Sequence, residues 1–348
     1  SLDGLRAIAV LIVLVSHAGF GETVPGGLGV TIFFFLSGYL ITTLILDESN
    51  LTDTINVRHF YLRRAFRLLP PLLIALAVAY SLVALGLLGG GFSWGGLISQ
   101  LFYFANYYEI FFAHANSIPE GTGILWSLAV EEHFYIVYPA LMLVLLRFVK
   151  DRRLIIALFA VLCVVVLAWR IYLVSQPDFT EIRTYYATDT RFDSILFGCI
   201  FAMWRNPARM PAASAPRSKM RALDWLVLGG GLALLLSTIV YRDAEFRETF
   251  RYTLQGIALA PIFYYAIRFP TVGPFRILNT RVLARIGVLS YGIYLTHFIV
   301  LAAVDKTIDV KIPNVARIVI ALGASAGFAV LIDRYVDPYF RRRRSALH

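Results

Sequence analysis

In a chain of 348 residues with 59% hydrophobic and only 16% charged side chains, there is too little polar surface to cover the apolar part. That balance excludes a water-soluble globular protein and points to an all-α polytopic membrane protein. The net charge of +10 does not indicate a nucleic-acid partner, because the basic residues are spread over several short connections rather than gathered on one face.

Ten segments have about the length needed to cross a bilayer: residues 5–19, 28–46, 68–88, 127–146, 154–174, 190–204, 223–240, 251–267, 286–304 and 314–335. The expected fold is a bundle of about ten transmembrane helices. Placing the N-terminus inside puts 22 of the 32 Lys and Arg in inner segments, Arg217 and Lys219 among them. Seven, including Lys311, fall outside. An even span count then puts both termini in the cytoplasm. The longest polar stretch, 205–221, reads as a flexible inner connection, so residues 1–348 are expected to form a single transmembrane domain with no separate soluble part. The first apolar run has no basic leader and no small-residue cleavage site, and the absence of an initial Met points to missing leading residues. Cys163 and Cys199 fall inside spans without metal-ligand spacing, so no metal site is expected.

An ionisable residue inside a span costs about 2.5–3.5 kcal/mol on insertion scales, so each one is a candidate functional residue. In LRAIAVLIVLVSH (residues 5–17), Arg6 and His17 are eleven positions apart. At 100° per residue they share one helix face, about 16 Å apart along the axis. Arg6 either snorkels to the inner surface or serves function, and His17 is either a neutral core histidine or a reactive one in the outer half. VTIFFFLSGYLI (30–41) places Ser37 and Gly38 where small residues permit close helix approach or leave room for a thin ligand.

The inner loop YLRRAFRLLPPLL (61–73) gathers Arg63, Arg64 and Arg67 ahead of Pro70 and Pro71, which should disturb the start of the third span. Guanidinium forks suit phosphate oxygens, although inner arginines also serve topology or bind anionic lipids. LWSLAVEEHFYIVYP (125–139) carries Glu131 and Glu132 at a depth similar to that of His17. Neighbouring helical residues point about 100° apart, so one of the two is expected to face His17. TDTRFDSILFG (188–198) holds Arg191 and Asp193, which either pair at the span end or meet an acceptor outside. LSYGIYLTH (289–297) brings Ser290, Tyr291, Tyr294 and His297 into one span, where polar glue between helices is the plain expectation.

A carboxylate that orients an imidazole is a general-base arrangement suited to acyl transfer to a hydroxyl; the same residue types also build proton relays in transporters. The motifs LDGLRAIAVLIVLVSH, FFFLSGYLI, LRRAFRLLP, LWSLAVEEHFY, TRFDSILFG and LSYGIYLTH occur in the order expected of the acyltransferase-3 family, and the chain resembles that family over nearly its whole length. The resemblance implies an acyl-CoA-dependent O-acyltransferase of the bacterial inner membrane. Such an enzyme carries an acyl group, usually acetyl, from cytoplasmic acetyl-CoA to an outer hydroxyl on lipopolysaccharide, exopolysaccharide, peptidoglycan or a lipid-linked saccharide. It implies essential roles for Arg6 and His17, CoA-phosphate contacts for Arg63, Arg64 and Arg67, and a catalytic acid at Glu131 or Glu132, next to a His133 where the family more often has Gln.

On that basis His17, Glu131, Glu132 and Arg6 are the expected catalytic residues. Ser37, Gly38 and Tyr291 join the arginines at the acyl-CoA, and Trp126, Arg191 and Asp193 meet the acceptor. Membrane lipids are partners, and neither nucleic acid nor metal is expected. The rival reading is a proton- or anion-coupled secondary transporter with Arg6, His17 and Glu131 as a relay, against which the chain lacks an inverted repeat and paired broken helices.

Overall fold

Every apolar segment expected to cross the bilayer is helical. The computed structural model describes residues 1–209, 220–308, 310 and 312–345; Arg217, Lys219, Lys311 and most of the 205–221 connection lie outside the described residues. The helices are α1 (Leu2–Val15), α2 (Gly26–Thr52), α3 (Val57–Ala84), α4 (Trp94–Leu101), α5 (Ala105–Phe111), α6 (Leu125–Phe148), α7 (Arg152–Val174) and α8 (Glu181–Tyr186). They continue with α9 (Thr188–Trp204), α10 (Ala222–Val240), α11 (Ala244–Glu248), α12 (Phe250–Arg268), α13 (Arg281–Thr307), α14 (Asn314–Leu331) and α15 (Asp337–Ser345). Among the described residues, eight helices are long and apolar enough to cross a membrane. Two segments expected to span, 190–204 and 251–267, fall on α9 and α12 and are not among the eight.

The arginine-rich segment is the main departure from expectation. Residues 61–73 are not a loop: α3 starts at Val57, capped by the Asn56 side chain, which accepts from the His59 amide at 3.0 Å, and it runs through Pro70 and Pro71 without a break. Leu and Arg are strong helix formers, and Leu72, Ala75 and Leu76 just beyond the prolines are buried in a cluster with Ala105, Leu125 and Leu295. Packing therefore outweighs the two lost backbone donors.

The chain forms two compact units, each woven from separate stretches. The first comprises Ser1–Ala9, Gly27–Ile55 and Val137–Gly287. In it α10 lies against α12, and α9 lies between α12 and α7. Gly38 of α2 and Gly198 of α9 bring two backbones into contact. A methyl on Gly38 would overlap the Ile195 carbonyl, and one on Gly198 the Phe35 carbonyl. Val161, Val164 and Val165 of α7 and Leu226, Leu236 and Val240 of α10 are exposed, as befits helices facing lipid.

The second unit comprises Val10–Gly26, Asn56–Ile136 and Val288–His348. Here α14 packs on the turn that ends α1, and α15 packs along α3, with the Phe66 and Phe340 rings 6.0 Å apart. Between α3 and α6 the segment around Gly90 meets Pro119, through Gly91 N to Ile118 O at 3.1 Å and Glu120 N to Gly89 O at 3.0 Å.

Candidate active site

His17 does not sit on a regular helix. After Val15 the chain widens into a π-turn, Ser16–Phe20, that is kinked at Gly19 with φ of +109°. The 100° per residue that put Arg6 and His17 on one face therefore holds only as far as Val15. A π-turn frees carbonyls from their usual partners, and α14 meets two of them. Arg317 Nε donates to Ala18 O at 3.2 Å and Asn314 Nδ2 to Gly19 O at 3.1 Å, while Asp305 holds the Arg317 guanidinium. Only glycine fits position 19, because φ is left-handed and a Cβ would lie 2.6 Å from Asn314 Oδ1.

The turn delivers the His17 ring to α13. His17 Nδ1 lies 2.9 Å from His297 Nε2, and the Phe298 ring stacks on the His17 imidazole with centroids 4.4 Å apart. His297 is fully buried, and its Nδ1 meets the carbonyls of Tyr294 at 2.8 Å and Ile293 at 3.2 Å. The Tyr294 hydroxyl is joined to Ser127 Oγ at 2.6 Å at the start of α6, where Trp126 is also buried. His17 itself is half-buried.

The expected Glu partner of His17 is occupied elsewhere. Glu132 Oε1 accepts a hydrogen bond from Arg64 Nε at 2.9 Å and pairs with its Nη2 at 2.8 Å, and Glu131 stands 3.9 Å from the same guanidinium. The Arg64 guanidinium carbon also lies 3.2 Å from the centroid of the Tyr135 ring. The partner the structure gives His17 is a second imidazole, and Arg64 is committed to tying α3 to α6 rather than turned toward a phosphate. Arg63 is half-buried and Arg67 exposed on the same helix. The Tyr291 hydroxyl donates to the Leu68 carbonyl at 3.0 Å, so it too braces α3.

Five further expected site residues fall in the first unit. Arg6 is half-buried on α1, with a buried Nε that has no hydrogen-bond partner among the described residues. Gly38 faces the α9 backbone, which fills the space a thin ligand would need; Ser37 beside it is half-buried. Arg191 and Asp193, expected either to pair at the span end or to meet an acceptor outside, are both fully buried. Asp193 binds Arg170 at 2.8 Å, while Arg191 lies 3.9 Å from the Tyr252 ring and donates to Tyr185 O and Thr31 Oγ1 at 3.1 and 3.3 Å. Helical numbering gave their depth but not the neighbour each one faces.

The residues underrated by sequence are His297 and Arg170. His297 closes LSYGIYLTH and looks like polar glue, and nothing in spacing reveals a partner 280 positions away. Arg170 lies inside α7, and its insertion cost was its only signal. Among the described residues no group of three or more His, Cys, Asp or Glu is placed to hold a metal ion.

The family described as an acyltransferase domain matches residues 1–334. The chain is 31% identical over 352 residues to the peptidoglycan O-acetyltransferase OatA of Listeria monocytogenes, an alignment covering 98% of this chain and 56% of the relative. It is 31% identical over 354 residues to YrhL of Bacillus subtilis, which bears the same activity as a provisional name, covering 98% of this chain and 54% of the relative. The chain thus spans about half the length of these relatives. No solved structure matches it. Two imidazoles joined at the end of a membrane helix thus lie in a sequence that, by its match over residues 1–334, belongs to the acyltransferase-3 family.

Proposed function

We propose that the chain is a single transmembrane domain of the bacterial inner membrane, with ten spans and both termini cytoplasmic, that moves an acetyl group from cytoplasmic acetyl-CoA to a hydroxyl of a cell-envelope glycan. The naming of OatA as a peptidoglycan O-acetyltransferase makes a peptidoglycan hydroxyl the first acceptor to test. The observation that carries the reading is His17, half-buried at the end of a membrane helix with one ring nitrogen engaged by His297 and its face covered by Phe298.

In the proposed step, His17 Nε2 takes the proton of the acceptor hydroxyl as the oxygen attacks the thioester carbon. The new C–O bond forms, the C–S bond breaks, and the proton passes from His17 to the departing CoA thiolate. Arg63 and Arg67 bind the CoA phosphates by charge-assisted hydrogen bonds, and Arg6 meets negative charge within the membrane. Glu131 and Glu132 act through Arg64, keeping α3 and α6 together.

The test is transfer in sealed, oriented vesicles given labelled acetyl-CoA on the cytoplasmic face, comparing wild type with His17→Ala at equal abundance. Base-labile label on the outer face, lost in the variant, supports the reading. Equal transfer by the two proteins overturns it, and proton-coupled solute movement without CoA release would favour a transporter.

A further inference from the structure

We propose that His297 is a positioning residue that fixes the tautomer of His17, keeping the proton on Nδ1 and the lone pair on Nε2. The inference rests on the reading of His17 as the base, and it follows from what each nitrogen of the pair touches. Peptide carbonyls only accept, so a His297 Nδ1 held 2.8 Å from Tyr294 O and 3.2 Å from Ile293 O carries its hydrogen. In the neutral ring this leaves a lone pair on Nε2, the atom 2.9 Å from His17 Nδ1. That bond needs one hydrogen, which His17 must supply. Its own Nε2 is then unprotonated, and it makes no hydrogen bond among the described residues.

Each outer contact of His297 reinforces this order. Tyr294, whose carbonyl receives the His297 proton, is anchored through its hydroxyl to Ser127 at 2.6 Å. Gly121, at φ of +81°, packs so closely on α13 that a Cβ there would lie 2.7 Å from the Phe298 carbonyl and the Ile299 amide. The α13 backbone next to His297 is thereby clamped, and Phe298 on that segment stacks on His17. When His17 accepts the acceptor proton it becomes an imidazolium, and His297 Nε2 accepts from its Nδ1–H as a carboxylate does in a serine-protease triad. An imidazole in that place adds no negative charge to an apolar site.

The full-length protein in oriented vesicles separates the possibilities through His297→Gln and His297→Met, which match in length and differ in whether the side chain accepts. Gln presents an oxygen near the position of Nε2, and Met presents no comparable acceptor. The expected result is a fall in kcat of about 100-fold for His297→Met, with KM within about threefold and thermal midpoint matching that of His297→Gln, which keeps most of the activity. Nitrogen-15 NMR of histidine-labelled protein, with the His17 signals assigned by their loss in His17→Gln, reads the tautomer directly whether or not a variant is active. The expected spectrum has His17 protonated at Nδ1 in wild type and shifted toward Nε2 protonation in His297→Met. A wild-type His17 protonated at Nε2, or equal activity of the Gln and Met variants, overturns the inference. Retained transfer by His17→Ala would instead defeat the base assignment, so the two failures are distinct.

Discussion

Arg64 and Glu132 meet at one carboxylate oxygen, through a hydrogen bond from Nε at 2.9 Å and an ion pair with Nη2 at 2.8 Å, with the guanidinium carbon 3.2 Å from the centroid of the Tyr135 ring. Both side chains are about one fifth exposed or less, so solvent screens the pair only in part. Lysine in place of Arg64 keeps the charge but loses the fork and the stacking.

Arg64→Lys is therefore expected to lower stability by about 1–3 kcal/mol, seen as a thermal midpoint several degrees lower in detergent, with little change in CoA affinity. Arg67→Ala should do the reverse, leaving the midpoint nearly unchanged and weakening CoA binding by about tenfold, the value of one charge-assisted contact. Calorimetric titration with CoA reads both. Arg64→Lys that binds poorly at an unaltered midpoint would return Arg64 to the phosphates.

Gly38 and Gly198 face each other's helices at the backbone level. A methyl at either site forces α2 and α9 apart, and overpacking of this kind costs about 1–3 kcal/mol. Gly38→Ala and Gly198→Ala should each lower the thermal midpoint and the folded yield, and the double variant should cost less than the sum because one separation relieves both clashes. If Gly38→Ala has wild-type stability and impaired turnover, the position serves a ligand after all.

The helices were legible because a bilayer demands long apolar runs, and each of the ten runs falls on a helix, although 68–88 passes the end of α3 at Ala84. The start of α3 was not, because arginines read as a loop until a capping Asn56 and the packed residues beyond the prolines are in view. Insertion cost singled out His17, Glu131, Glu132 and Arg6 in the sequence. It could not pair them: Glu132 and His17 were expected at similar depths, yet one turns to Arg64 and the other to His297. Depth follows from position along a helix, whereas the partner depends on how helices far apart in sequence are packed.

Arg170 tests how much a fully buried ion pair contributes. Its guanidinium reaches Thr249 O at 2.9 Å, Thr190 O at 2.6 Å, Asp193 Oδ2 at 2.8 Å and the Thr253 hydroxyl, with neither Arg170 nor Asp193 exposed. Arg170→Met leaves a carboxylate with its cation gone and should cost about 3–5 kcal/mol. Adding Asp193→Asn removes the stranded charge, so the double variant should be more stable than Arg170→Met alone. Thermal unfolding of the wild type and three variants provides the cycle; additive losses would mean the two groups do not depend on each other.

Glu109, on the short helix α5, offers a pH-dependent test. Its Oε1 is buried without a hydrogen-bond partner among the described residues, and burial pushes its carboxyl above the ordinary value. A raised folded-state value means that folding favours the protonated acid. Stability is therefore greatest below the unfolded-state value and falls as pH climbs through it toward the raised one, above which the full penalty remains. Glu109→Gln keeps the shape and removes the ionisation. It should unfold at a higher temperature than wild type at pH 8, with the gap closing as pH approaches about 4, near the unfolded-state value. A variant less stable than wild type at pH 8 would mean that the carboxylate is held by a cation, and the burial penalty assigned to it would be wrong.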